Sequence, residues 1–436
     1  MEKTLLFKTN YFMNLKTLLL FALCFFMNNQ TASSQVRSVN VEPMKLSRDI
    51  CIYKPAPNPV KSFIPVSAAT KERMTRDTEG SCSTFNVTYT GFTAQAQTAF
   101  QYAVNIWANT LTSTVPIEID ANFGPLPAGV LGGAGPYTFI GLTGGGLPET
   151  TWFPIALANS LLASDEDPGN PDIVATFSST YGDFYFGTDG NPGIGEIDFV
   201  TVVLHEIGHG LGIVGFGGEE LDMDDNPTGL GEIRFSGFAS IWDHYIENGS
   251  GSDILSFVDP SVALLNQFEG GDLFSNGSET TSQNGGINPE TYAPNPFQSG
   301  SSYSHWDEAT YPAGNANSLM TPFVAPGEAI HDPGVVTLGF MNDMFWTVCN
   351  DLLSTQDIKK DSLFAYYPNP VNDEIIFEAK NIIQKITVYD ILGQRIMQST
   401  PKSIDGKMDL SELKSGVYLI QVSIENTIKT VRIVKN

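Results

Sequence analysis

Between residues 81 and 355 the chain carries a single basic residue, Arg234, although the whole sequence contains 23 lysines and arginines. A block of that length with one cation cannot hold itself together by internal salt bridges. Apolar burial and bound cations must carry its stability. The material for a core is present, because 42% of the 436 residues are hydrophobic and 11% aromatic, which excludes disordered and fibrous classes. A formal net charge of −25 makes nucleic-acid backbones and anionic membranes poor partners, since both would repel this surface. The length argues for two or three domains.

The charge distribution also marks modules. Residues 1–34 read as a signal peptide: Lys16 precedes an apolar run from Leu18 to Met27, and Ala32, Ser33 and Ser34 supply a cleavage site. The run is about half the ~20 residues a bilayer requires, so no transmembrane segment is expected. Residues 35–80 are basic, contain Pro55, Pro57 and Pro59, and end in the cleavable stretch Lys71 to Arg76, the composition of a removable pro-segment. Residues 81–355 form the acidic domain, and 356–436 a linker with a β-rich module. Cys24 leaves with the signal and Cys51 with the pro-segment. Cys82 and Cys349 then remain as a candidate disulfide closing the acidic domain.

Within the acidic domain, Phe85 to Tyr89 and Val115 to Ile119 read as strands. Phe100, Ala103, Val104 and Trp107 share one face of a helix. Gly129 to Gly146 reads as loop or sheet edge, Phe199 to Leu211 as helix, Gly215 to Pro296 as a long loop-dominated insertion, and Val335 to Val348 as helix. From about Leu363 short β-branched runs follow: Ile375 to Glu378, Lys385 to Tyr389, Gln394 to Met397, Val417 to Ser423 and Lys429 to Val434. The expected fold class is α+β followed by a small all-β sandwich.

The chemistry concentrates at His205-Glu-Ile-Gly-His209-Gly-Leu-Gly212. Residues four apart lie on one helix face, so His205 and His209 can offer two imidazole nitrogens to one Zn²⁺, with Glu206 placed as general base. Gly208, Gly210 and Gly212 each cost a helix up to ~1 kcal/mol relative to Ala, so packing and metal must hold this helix. Gly212 can also end it in a left-handed turn. Asp222, Asp224, Asp225 and Asn226 suggest a Ca²⁺ loop, but Pro227 and Ile233 break the EF-hand pattern and favour a solvated acidic loop. His244 and His331 read as structural or surface residues.

The motif resembles that of the metzincin metalloproteases, HExxHxxGxxH, departing at position 215, where Gly cannot ligate zinc. Ser304-His305-Trp306, Ser318-Leu-Met320-Thr-Pro322 and Thr337 to Trp346 are similar, in order, to the third histidine, Met-turn and closing helix of the leishmanolysin-like branch. The resemblance covers about residues 82 to 352. It implies a metzincin-like catalytic domain with a mixed sheet and an active-site helix, His305 as third zinc ligand, and Met320 as an apolar floor under the metal. Asp307, Glu308 and His331 are the other candidates for that ligand. The C-terminal module resembles the type IX secretion sorting domain in Tyr367-Pro-Asn-Pro370, Asp390-Ile-Leu-Gly393 and Leu413 to Tyr418.

The expectation is a zinc endopeptidase acting on protein or peptide substrates. It would be made as a preproprotein, exported through the periplasm by machinery that reads the C-terminal domain, and secreted or held at the cell surface. The basic pro-segment would cover the acidic cleft, with Cys51 as a candidate thiolate ligand. An adhesin with a structural zinc site, and a metallo-esterase or amidase on the same scaffold, are the alternatives.

Overall fold

The computed structural model describes residues 36–39, 41–45, 51–75, 81–349, 364–367, 371–389, 394–414, 416–424 and 427–435. The signal peptide, the 356–362 linker region and the Asp390–Gly393 turn lie outside them. The chain divides into two units, Met1–Cys349 and Asn350–Asn436, with the 35–80 segment inside the first.

The first unit is built on a mixed four-stranded sheet. Strand β1 (Phe85–Thr90) runs parallel to β2 (Ile117–Gly124), and β2 lies parallel to β4 (Ile173–Ser178). Strand β3 (Gly132–Pro136) pairs antiparallel with β4 and forms the sheet edge. Helix α1 (Ala94–Ala108) precedes β2, and the motif helix α2 (Phe199–Gly210) follows β4. The expected face of α1 is buried: Phe100, Ala103, Val104 and Trp107 are at most 1% exposed, and the Trp107 indole donates to the Leu204 carbonyl of α2 at 2.9 Å. Thr93 caps α1 through the Ala96 N–H, and Asp198 caps α2 through the Thr201 N–H. Gly212, at φ +121°, turns the chain after α2, as expected of a glycine at that position. Cys82 and Cys349 are joined in a disulfide.

Three expectations are modified by the structure. In Gly129 to Gly146, β3 is a sheet edge as expected, but Phe139–Thr143 is an inner strand of a second sheet; glycine has no Cβ to alternate between faces, so the periodicity is invisible in sequence. Gly215 to Pro296 is irregular over more than half of its length, as expected, yet it also holds regular elements. It contains the hairpin Gly218–Leu221 with Pro227–Glu232, the pair Ile246–Asn248 with Leu273–Ser275, and helices Val262–Phe268 and Ser278–Gln283. Trp242, Ile246, Leu264 and Phe268 there are fully buried. These elements are too short for a periodicity window, and their Ser and Asp residues act as caps; Ser261 accepts from the Leu264 N–H. Finally, helix α3 (Val335–Asp343) ends at Asp343 rather than running to Val348. Phe345 takes φ +77°, and Thr347–Val348 then pairs with Leu111–Thr112 beside the disulfide.

The second unit is a six-stranded β structure with its own core of Val371, Phe377, Ile386, Val388, Ile420 and Ile433. The two short runs expected at 375–378 and 385–389 are one strand, Glu374–Tyr389. Its first half pairs with Phe364–Tyr367 and Ser403–Asp409, its second with Arg395–Ser399 and Gly416–Ile424, and register shifts between the halves bend it.

Candidate metal centre

Helix α2 is buried along its whole length, and it presents His205 and His209 on one face with Glu206 beside them. The segment that brings His305 is tied to both neighbours. Ser304 Oγ accepts the Gly215 N–H at 2.9 Å, and the Trp306 N–H donates to Met320 O at 2.9 Å. Position 215, unable to supply a ligand itself, thus anchors the segment that carries one. The Trp306 ring packs against those of Trp242 and Phe340.

The three Nε2 atoms converge. They lie 3.0 Å apart for His209 and His205, 3.1 Å for His209 and His305, and 3.3 Å for His305 and His205. Cys51 Sγ joins them, 3.4 Å from His205 Nε2 and 3.5 Å from His305 Nε2. All four side chains are buried, and among the described residues this is the only such group of His, Cys, Asp and Glu donors. The cluster could hold a metal ion. Carbonyl acceptors orient two of the rings: His205 Nδ1 lies 2.7 Å from Leu319 O, and His209 Nδ1 lies 2.6 Å from Ile213 O. Burial pushes His209 down to about 4, and pushes His205 and His305 well below the usual imidazole range, so all three are neutral donors.

Glu206 is fully buried. Its Oε2 accepts the Ala134 N–H of the edge strand β3 at 2.7 Å, Oε1 makes no direct hydrogen bond, and burial pushes the carboxyl up to about 8. Met320 is buried under α2. A Cβ at Gly208 would stand 2.9 Å from Met320 Sδ, so the glycine leaves room for the methionine to lie close against the helix.

The other sequence candidates lie elsewhere. His331 Nε2 is 2.9 Å from Asp198 Oδ2, the cap of α2, and His244 Nε2 is 2.8 Å from Thr151 Oγ1. Asp307 accepts the Thr310 N–H, and Glu308 is not in the cluster. Asp222 to Asn226 form an exposed hairpin turn in which Asp222 Oδ1 accepts the Asp224 and Asn226 N–H groups. Sequence reasoning missed Tyr53, whose ring stacks on His205 with centroids 3.7 Å apart and 8° between planes. The signal was present two residues after Cys51, in a segment expected to cover the site.

That segment threads the site as backbone. The Tyr53 N–H donates to Gly132 O at 3.2 Å, and the Leu131 N–H to Tyr53 O at 3.0 Å. Lys54–Pro55 pairs parallel with Phe323–Val324, and Ser62–Ile64 with Glu328–Ile330. Helix Ala68–Thr75 carries most of the expected cleavage stretch, and its Arg73 Nε donates to Asn109 O at 2.7 Å.

Residues 365–436 match the family described as the secretion system C-terminal sorting domain. Comparison with curated proteins finds no match. Among solved structures the chain is similar to PorZ, described as an essential bacterial surface component of the type IX secretion system of Porphyromonas gingivalis, at 19% identity and a TM-score of 0.16. That match covers 17% of this chain and 11% of PorZ. No helix among the described residues is long and apolar enough to cross a membrane. The sorting domain implies contact with the type IX export machinery and marks the protein as secreted or displayed at the cell surface.

Proposed function

We propose that this protein is a secreted zinc endopeptidase held latent by its own N-terminal segment. The observation that carries the reading is the convergence of three neutral histidine nitrogens on one point beside a buried glutamate. The donors fit zinc: tetrahedral Zn–N bonds of about 2.05 Å space nitrogens about 3.3 Å apart, and a Zn–S bond of about 2.3 Å puts sulfur about 3.5 Å from them. His205, His209 and His305 would hold the ion, in keeping with the metzincin resemblance of the motif order.

Bound zinc would polarise a substrate carbonyl and favour ionisation of water. Glu206, held through Oε2 by the Ala134 N–H, has Oε1 left to take the proton of the attacking water and pass it to the leaving amine. With zinc bound, Cys51 would supply a fourth ligand where substrate would otherwise enter. Casein digestion tests the function: the full chain, zinc-loaded and nicked between Lys71 and Arg76, should digest casein with one zinc per molecule, and stoichiometric zinc without cleavage overturns the reading.

The sulfur at the fourth position also favours a second reading, a closed structural zinc site in a surface protein. Cys51→Ser separates the two. For a latent protease the nicked variant should hold zinc and digest casein as well as the nicked native chain, because the segment that carries residue 51 has left the site. For a structural site it should lose zinc affinity and digest nothing.

The export assignment has its own expected outcome. Truncation at Ser362 removes a unit with a separate core, so the shortened chain should fold, bind zinc and accumulate in the periplasm. Fractionation with zinc analysis checks this, and normal release of the truncated chain would overturn it.

A further inference from the structure

Two of the three histidine rings are oriented by the carbonyls of Leu319 and Ile213, but the third is not held in that way. His305 Nδ1 is buried and makes no well-formed hydrogen bond, the Ser301 carbonyl being the backbone acceptor that acts on the ring. Where His305 Nε2 points is therefore decided by the backbone that carries it. That backbone has an unusual shape. Tyr303, two residues before the ligand, takes φ +77°, a conformation that an aromatic residue keeps only where its surroundings enforce it.

Asp243 is placed to enforce it. The Tyr303 side chain is completely buried, and its hydroxyl donates to Asp243 Oδ1 at 2.9 Å. The same carboxyl accepts the Phe216 N–H, 3.1 Å from Oδ1 and 3.3 Å from Oδ2, and the Ser240 N–H, 2.7 Å from Oδ2. Phe216 belongs to the turn after α2, in which the Ile213 carbonyl orients His209. One fully buried side chain thus joins the turn beside the second histidine to the segment that carries the third. Gly215 completes the arrangement. A Cβ there would stand 2.2 Å from Tyr303 Cε1 and 2.6 Å from Trp242 Cδ1, so the Tyr303 ring fills the room that a side chain at 215 would need.

We propose that Asp243 is a positioning residue of the metal centre, setting His305 through the Tyr303 hydroxyl and the chain after His209 through the Phe216 N–H. This rests on the reading of the three histidines as zinc ligands and adds the group that aligns two of them. The role asks nothing of the charge on Asp243. Burial pushes its carboxyl up to about 7, yet acid and carboxylate alike have two oxygens that accept, whereas an amide would turn its NH₂ toward a donor.

The test uses the full, un-nicked chain and reads the metal rather than hydrolysis. Tyr303→Phe keeps the ring and loses only the hydroxyl. It should bind Zn²⁺ at least tenfold more weakly than the native chain and, loaded with Co²⁺, should show altered visible absorption bands, which report ligand geometry. Asp243→Asn should do the same, and the double variant should bind no more weakly than Asp243→Asn alone, because the two changes break one contact. Tyr245→Phe is the control. It also loses a phenol's hydrogen bond, to the Asp343 carbonyl in a part that carries no ligand, and should melt lower with zinc affinity and cobalt bands unchanged. If Tyr303→Phe and Asp243→Asn melt lower but keep the native affinity and bands, or if Tyr245→Phe loses zinc to the same degree, Asp243 only stabilises the fold and the proposal fails. Should Asp243→Asn not fold, Tyr303→Phe against Tyr245→Phe decides. A native chain that binds neither ion removes the zinc reading and this proposal together, whereas native binding with unmoved variants removes the proposal alone.

Discussion

Glu206→Gln should retain one zinc per chain and lose hydrolysis by about 10²- to 10⁴-fold, the contribution expected of a general base. The substitution is close to isosteric, and a glutamine oxygen can still accept the Ala134 N–H that now holds Oε2 at 2.7 Å. Stability should change little, because burial already pushes this carboxyl up to about 8, so at neutral pH the metal-free chain loses mostly a protonated acid and gains a neutral amide. What the amide cannot do is accept the water's proton. Zinc analysis beside kcat measurements on the nicked chain separates the outcomes. Loss of zinc would show that Glu206 is a ligand or a structural group, and retained activity would overturn the mechanism.

His305→Ala should weaken zinc affinity by orders of magnitude and abolish proteolysis, whereas His244→Ala and His331→Ala should leave zinc bound. The ranking follows from distance. His305 Nε2 lies 3.1 Å and 3.3 Å from the other two nitrogens, and its loss leaves the helical pair with Cys51 alone. Once the pro-segment is removed, only two protein ligands would remain, fewer than the three that hold a catalytic zinc. His331→Ala has a different cost. It removes the buried partner of Asp198, the cap of α2, and should lower stability by about 1–3 kcal/mol without emptying the site. Zinc stoichiometry on the folded fraction, with thermal unfolding alongside, checks all three variants. Zinc loss from His331→Ala with retention in His305→Ala would move the third ligand and remove the role given to the Met320 segment.

The boundary between what was legible in sequence and what was not follows the range of the interactions. Local patterns were readable. The apolar face of α1, the span of α2, the turn at Gly212 and the β character of the last 75 or so residues depend on neighbours within one or two turns, or on alternation along one strand. The shared helix face of His205 and His209 is equally local. Elements shorter than two turns, as in 215–296, and strands made of glycine leave no periodic trace, so only the folded chain displays them. The break at Asp343 belongs with these, since pairing to Leu111–Thr112 across the sequence decides where that helix stops.

At the site itself, the sequence by itself determined a helical His-Glu-His unit, an acidic domain with one cation, and a chain that must bring a further ligand from far away. Tertiary structure alone decided which groups meet there. Cys51 and His305 stand 154 and 100 residues from His205, and loop-closure entropy rises so slowly with length that spacing in sequence could not choose among the candidates. The stacking of Tyr53 on His205 accompanies the pairing of Lys54–Pro55 with the strand after Met320. That register is set by backbone hydrogen bonds between distant segments, and backbone hydrogen bonds carry no side-chain signature in the sequence.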